Sequence, residues 1–420
     1  MYQKTTLDNG LRLVTSTMPH TRSVCIGLFV GTGSRYETNA EAGTSHFIEH
    51  ILFKGSEKRP TPGEISAAIE GVGGILNGGT DKELTVYWCK VAQDHFTIAL
   101  DVLTDMLLHP RFDPQEITKE RQVVIEEINM CKDSPSQEAN MLIDGLLWPD
   151  HPLGRDIAGS KESVTATTRE AMLDYLDRQY QPDNTVVVIA GNISHQKAVD
   201  SVSQVMGSWA SRKPRTGYSA YQPTPAQQVK IEKRDIEQAH LCLALPGLPI
   251  LHPQRFKLDL LNVILGQGMS SRLFTEIRDR LGLAYSIHSY AEHFLDSGSL
   301  TIYAGVDTKN LTTAINAILE QLNRLKETVP EIEMSRAREL SRGRLLLRME
   351  DSHNVAGWLG GQEALTNHIL TPEEVTAIID AITAEELKEL AQEMIDGKKL
   401  RLAVVGPVAE DEPLEDLLKL

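Results

Sequence analysis

Four cysteines in 420 residues, at positions 25, 89, 131 and 242, form no close pair and no Cys-x-x-Cys. This scarcity excludes a disulfide framework and a zinc knuckle, and suits small buried side chains in a reducing compartment. Cationic residues are outnumbered, 42 Lys and Arg against 58 Asp and Glu, for a formal net charge of −16. So acidic a chain is poorly suited to a phosphate backbone, which argues against nucleic acid as a partner. Long apolar runs are missing too. The longest, around Thr185–Ala190, falls far short of the roughly 20 residues that span a bilayer, so no membrane association is expected. The segment Met1-Tyr2-Gln3-Lys4-Thr5-Thr6 has neither the apolar stretch of a secretion signal nor an Arg-rich amphipathic arm. A bacterial cytoplasmic address is therefore expected.

What the chain does contain is His46-Phe47-Ile48-Glu49-His50. If this segment is helical, each residue advances about 100° and His46 and His50 lie one turn apart on one face, with Glu49 and Phe53 beside them. Phe47, Ile48, Ile51 and Leu52 take the opposite, apolar face. A catalytic zinc needs three protein ligands and an open fourth position, so a third ligand must come from elsewhere. The acidic segment Glu120-Arg121-Gln122-Val123-Val124-Ile125-Glu126-Glu127 offers it. On a helix, Lys119, Gln122, Glu126 and Asn129 gather in one polar arc, while Glu120 and Glu127 point the other way. A carboxylate on an apolar face is costly unless paired or coordinated, which favours Glu127 over Glu126 as the ligand.

The chain reads as an internal duplication. Strands at 11–16 and 23–30 precede the His-x-x-Glu-His helix and a second helix at 64–70. Strands at 74–80 and 84–91 follow, then helices at about 94–108, 114–131 and 169–180, a buried β-branched strand at 184–192, and a helix at 196–209. Prolines 214, 223 and 225 mark a linker at 211–228. The order then repeats: strands at 229–233 and 240–245, helices at 256–265 and 273–280, strands at 284–293 and 300–306, helices at 311–326 and 331–349, and a closing strand at 400–406. Where the first half has His-x-x-Glu-His, the second has Asp259-Leu260-Leu261-Asn262-Val263, with no ligand set. The expected fold is α+β. Two homologous domains, 1–210 with the metal and 229–420 without it, each place helices on a mixed, largely antiparallel sheet.

These motifs resemble the pitrilysin/insulinase superfamily of inverted-motif zinc metallopeptidases, in its mitochondrial-processing-peptidase-like branch of short bacterial members. The resemblance runs over nearly the whole chain. It includes Thr6–Leu11, Gly43–Gly55, Gly73–Thr80, Glu120–Glu127, His151-Pro152-Leu153-Gly154, Ser271-Arg272-Leu273-Phe274 and Arg278 through Tyr285. It implies one Zn²⁺ per chain on His46, His50 and Glu127, with Glu49 as general base and Glu120 supporting the site. It implies further that Arg278 and Tyr285 contact substrate near the scissile bond, and that Asn77 and Gly78 lie on an edge strand that holds substrate backbone. At position 78 the family usually carries Ala, a departure that bears on substrate fit and not on the chemistry.

The activity implied is zinc-dependent endopeptidase cleavage of extended peptides, basic ones favoured, inside a chamber that a homodimer of two-domain subunits would close. The alternative is a non-catalytic partner or scaffold subunit of a processing-peptidase-like assembly. Retention of His46, Glu49, His50, Glu120 and Glu127 favours the enzyme. Gly357, Gly360 and Gly361 read either as a break after a helix or as a flexible loop touching substrate, as in one subunit type of the processing peptidases.

Overall fold

The computed structural model describes residues 2–211, 213–224 and 227–419; Arg212, Pro225 and Ala226 of the expected linker and the two terminal residues lie outside them. Strands β1 (Gln3–Thr6), β2 (Arg12–Thr17) and β3 (Ser23–Val30) open the chain, followed by helices α1 (Thr44–Leu52) and α2 (Pro62–Glu70). The hairpin β4 (Ile75–Thr80) and β5 (Thr85–Ala92) leads to α3 (Phe96–Leu108), α4 (Pro114–Asp133), α5 (Pro135–Leu147), α6 (Lys161–Ala166) and α7 (Arg169–Gln179). β6 (Thr185–Gly191) and α8 (His195–Met206) close the first half. The second half runs β7 (Val229–Lys233), β8 (Gln238–Pro246), α9 (Arg255–Gly266), β9 (Ala284–His293), β10 (Gly298–Asp307), α10 (Leu311–Arg324) and α11 (Glu331–Arg348). It ends with α12 (Ser352–Thr366), α13 (Pro372–Ala381), α14 (Ala384–Met394) and β11 (Arg401–Gly406).

The first sheet has the order β1-β2-β6-β3-β5-β4 and the second β7-β11-β8-β10-β9. Each holds one parallel pair, β2 with β6 and β7 with β11, among antiparallel ones. β-branched runs in β3 and β6 are buried on both faces, because side chains alternate across a strand and both faces are covered. Val24, Ile26, Leu28 and Val30 pack with Phe47, Ile48, Ile51 and Leu52 of α1. On the other face Cys25 and Phe29 pack with Val355, Ala356 and Leu359 of α12. In the second sheet Ser289 bonds to Asn262 of α9, while its neighbour Tyr290 bonds to Asn140 of α5, so these helices take opposite faces. Ala139, Leu142, Ile143 and Leu146 of α5 cover Cys242, Ala244, Tyr303, Ala403 and Val405.

Each sheet is thus roofed on one face by a helix encoded in the other half of the sequence. Two compact units result, neither contiguous: Met1–Ile128, Asp156–Ser219 and Leu346–Thr371 form the first, Asn129–Arg155, Ala220–Leu345 and Pro372–Leu420 the second. The expected linker contains one passage between units, at Ser219–Ala220, but α5 and α12 cross a simple division into halves. The proline-rich segment is also bound along the first unit. Thr216 receives Gln179 at 2.6 Å, and Tyr218 lies beneath the Arg35 guanidinium at 4.1 Å.

Two sequence expectations are corrected. Gly357, Gly360 and Gly361 neither break a helix nor form a loop; they sit inside α12. A Cβ at Gly360 would come within 2.5 Å of the Phe29 ring, so that glycine lets the helix approach the sheet. The segment expected as an ordinary helix at 273–280 is wound as a π-helix over Phe274–Arg280, a rare form that recurs at functional sites.

Candidate metal centre

The His-x-x-Glu-His segment is helical because its start is held in place. Gly43 adopts a left-handed φ of 89° at the N-cap of α1. Glu37 accepts the backbone N–H groups of Gly43 at 2.8 Å and Ser45 at 2.6 Å, an anion on the positive end of the helix. The apolar face is fully buried and the other face presents His46, Glu49 and His50.

The two imidazoles meet through Nε2, 3.2 Å apart. Glu127 Oε2 on α4 completes a triangle, 3.7 Å from His46 Nε2 and 3.5 Å from His50 Nε2. Ligands placed tetrahedrally about zinc, at nitrogen distances of about 2.0–2.1 Å, are separated by about 3.3–3.4 Å. The triangle fits that spacing with small adjustments, and among the described residues it is the group of His, Cys, Asp and Glu able to hold a metal. Burial, then the neighbouring His50, push His46 down to about 4. It therefore stays neutral at neutral pH with a lone pair to donate. His50 Nδ1 lies 2.8 Å from Glu120 Oε1, whose Oε2 is 2.7 Å from Lys54 Nζ. Such a carboxylate fixes the ring's orientation and directs Nε2 at the triangle. Burial would lower His50, but the Glu120 hydrogen bond and the surrounding carboxylates raise it overall.

Glu49 stands beside this triangle without joining it. Its Oε2 accepts the Thr80 hydroxyl at 3.1 Å. Burial and the Glu127 charge raise it above the ordinary carboxylate range, against the pull of His50 and Thr80. A proton acceptor with a raised affinity is suited to general-base work near neutral pH. Glu126 is exposed and bonds to Gln122 Nε2 at 2.9 Å. Glu127 nevertheless keeps 38% of its side chain exposed and neighbouring Val123 is 49% exposed, so this face of α4 is less apolar than expected. The buried acid of α4 is Glu120, compensated by His50 and Lys54.

Asn77 and Gly78 lie on β4, the outer strand of the first sheet, with Asn77 exposed. A Cβ at Gly78 would meet the Phe53 ring at 3.0 Å and Glu49 Oε1 at 3.3 Å. Glycine here leaves the general-base candidate free of that crowding. Arg278 and Tyr285 belong to the second unit. The Arg278 guanidinium lies 4.6 Å from the Phe274 ring and 5.2 Å from that of Tyr285, which is 79% exposed at the start of edge strand β9.

Comparison with known proteins decides the family. Residues 12–161 match the family described as "Insulinase (Peptidase family M16)", and residues 166–341 match "Peptidase M16 inactive domain". The "Uncharacterized zinc protease YmxG" of Bacillus subtilis is 36% identical over 97% of this chain and 98% of its own. The chain belongs to the insulinase (M16) peptidase family. A second relative, the "Uncharacterized zinc protease ML0855" of Mycobacterium leprae, is 37% identical over 99% of this chain and 94% of its own. "The crystal structure of a protease from Helicobacter pylori" has the same fold, with a TM-score of 0.90 at 21% identity, covering 96% of this chain and 99% of that one.

Three residues around the M16 site went unread in the sequence. Lys54 follows His50 at helical spacing, a readable signal for a neighbour on the same face. Thr80 shares a strand face with Gly78, which period-two alternation implies once β4 is placed. Glu37 precedes its helix by several residues in an irregular segment, and no local pattern marks it.

Proposed function

We propose that this M16 chain is a zinc-dependent endopeptidase acting on extended peptides. The observation that carries the reading is the His46–His50–Glu127 triangle with Glu49 beside it, hydrogen-bonded to the edge strand. His46, His50 and Glu127 would hold the zinc, which when bound polarises a peptide carbonyl and acidifies water. An extended substrate adds to β4 through main-chain hydrogen bonds, with Asn77 and Gly78 along its path. Glu49 takes the proton of the attacking water and returns it to the leaving amine. Arg278 and Tyr285 donate to the oxyanion that develops.

Among the described residues the metal-ligand candidates lie in the first unit and Arg278 and Tyr285 in the second. The working form in this reading is a homodimer in which Arg278 and Tyr285 of one subunit serve the zinc of its partner. The acidity of the chain, a formal net charge of −16, favours basic peptides. Cleavage of an unstructured basic peptide, lost to a chelator and restored by zinc, tests the activity. Persistent cleavage after verified zinc removal would sink it. Mixing the inactive variants Glu49→Gln and Tyr285→Phe tests the dimer, since mixed dimers contain one intact combination and partial activity should return. No recovery despite demonstrated subunit exchange would mean that each chain completes its own site, or that Tyr285 takes no part.

A further inference from the structure

The second unit keeps the pair of helices that carries the metal-ligand candidates in the first. On α1, Ser45, Phe47, Ile48, Ile51 and Leu52 are buried; on α9, Leu258, Leu260, Leu261, Ile264 and Leu265 are buried at one constant sequence offset. On α4 and α11, Ile117, Glu120 and Ile128 correspond in the same way to Met334, Ala337 and Leu345. The hydrogen bond from Thr80 to Glu49 also has its counterpart, from Ser289 to Asn262 at 2.6 Å. At these offsets His46 corresponds to Asp259, which pairs with His293 at 3.1 Å, and the positions that bear His50, Glu120 and Glu127 are Val263, Ala337 and Arg344. Two acids and an imidazole have given way to two apolar side chains and a guanidinium.

Between these helices the second unit has a cavity of about 130 Å³. Its lining includes the apolar Val263, Ile264, Ala337 and Leu340 and the charged Arg272, Arg336 and Glu333. Glu333 accepts Arg272 Nε at 2.8 Å, and Arg344 donates to Gln267 at 2.8 Å. Arg272 is 10% exposed, and its Nη1 is buried with no hydrogen-bond partner. A buried donor without a partner is costly, and a guanidinium's preferred partner is a carboxylate or phosphate. Arg336 donates only a 3.5 Å contact, to the Ser270 carbonyl. With two guanidiniums against one carboxylate, the lining combines net positive charge with apolar side chains.

We propose that this cavity binds a small carboxylate bearing a short aliphatic chain. Where the first unit gathers the donors of a cation site, the second would gather those of an anion site. The carboxylate takes the open hydrogen-bonding capacity of Arg272 and Arg336, and the aliphatic chain covers Val263 and Leu340. The proposal does not depend on peptide cleavage, and binding is measured on the full chain with or without zinc.

The probes are 3-methylbutanoate, its uncharged amide of the same shape, and inorganic phosphate, followed by ligand-observed NMR and titration calorimetry. The acid should bind, and the amide and phosphate should bind at least about tenfold more weakly, as loss of a charged hydrogen bond or of the apolar contact implies. Arg336→Gln, at an exposed position where folding is not at risk, should weaken the acid about tenfold, and Arg272→Gln at least as much if it folds. An amide that binds as well as the acid, phosphate that binds more tightly, or an Arg336→Gln chain that binds the acid unchanged would each overturn the assignment.

Discussion

Glu49, Glu126 and Glu127 are three acids near one another in the fold with three different surroundings, and substitution separates them. Glu49→Gln removes the proton acceptor but no atom of the donor triangle, so zinc content should persist while turnover falls about 10²–10⁴-fold. Glu127→Ala should lose both metal and activity, and Glu126→Ala neither, as read by metal analysis after gel filtration. Zinc lost from the Glu126 variant and kept by the Glu127 variant would reverse the ligand assignment. A second titrating group belongs to the second unit. His293 donates toward Asp259 at 3.1 Å and lies 2.6 Å from the Leu248 carbonyl. Burial alone would lower it, but these partners raise its pKa above the usual 6.5. Its stabilising contribution is then fully present below about pH 6.5 and is lost as pH rises through the raised native value. Asp259 is half exposed, so His293→Gln should cost no more than about 1 kcal/mol, measured by urea unfolding. That cost should be larger at pH 6 than at pH 9; an equal cost at both would mean the ion pair contributes nothing.

Helix α12 shows how one side chain's absence sets the packing of a whole element. Gly27 on β3 and Gly360 on α12 both border the Phe29 ring, each with a hypothetical Cβ within 2.5 Å of it. Gly360→Ala should force the ring or the helix to shift and cost about 1–3 kcal/mol of stability. A Cβ at Gly361 would have open space, with no atom within 4 Å. Gly361→Ala should be neutral or stabilise the helix by up to about 1 kcal/mol. Thermal unfolding of the pair checks the contrast, and a Gly360→Ala protein as stable as Gly361→Ala would show that the sheet tolerates a more distant α12. The π-winding at Phe274–Arg280 is also an element-level feature, since it determines where Arg278 leaves its helix.

For the molecule as a whole, the exchange of α5 and α12 makes the two halves of the sequence interdependent. A fragment of residues 1–210 lacks α12 and would expose Val14, Phe29, Val186 and Val188, which the helix otherwise covers. A fragment of residues 229–420 lacks α5 and would expose Cys242, Ala244, Tyr303 and Val405. Contiguous apolar faces of this kind drive association. Each fragment expressed alone should aggregate, and co-expression should recover soluble protein carrying both. A monomeric, cooperatively unfolding 1–210 fragment would show that α12 is dispensable. The net charge of −16 acts on the same scale. If the acidity reaches the substrate path, cleavage of basic peptides should slow as salt rises while that of neutral ones stays level.

Much of the molecule was legible from local pattern. Buried strands such as 185–191 declare themselves by β-branched runs, and the spacing of His46, Glu49 and His50 places all three on one face once the segment is helical. The duplication was visible in the repeated order of elements, and the family in its motifs. Pattern could not show which helix roofs which sheet. α5 and α12 have apolar residues whose partners on the sheets are encoded in the other half of the chain, and a helix's own periodicity carries no record of the surface it meets. Nor could it place Glu37, which no local pattern marks, or show that Lys54 meets Glu120 and Thr80 meets Glu49, partners that converge only on folding. The glycines of α12 are the clearest case: in sequence they look like a helix break, and only the ring of Phe29 pressed against the helix explains Gly360.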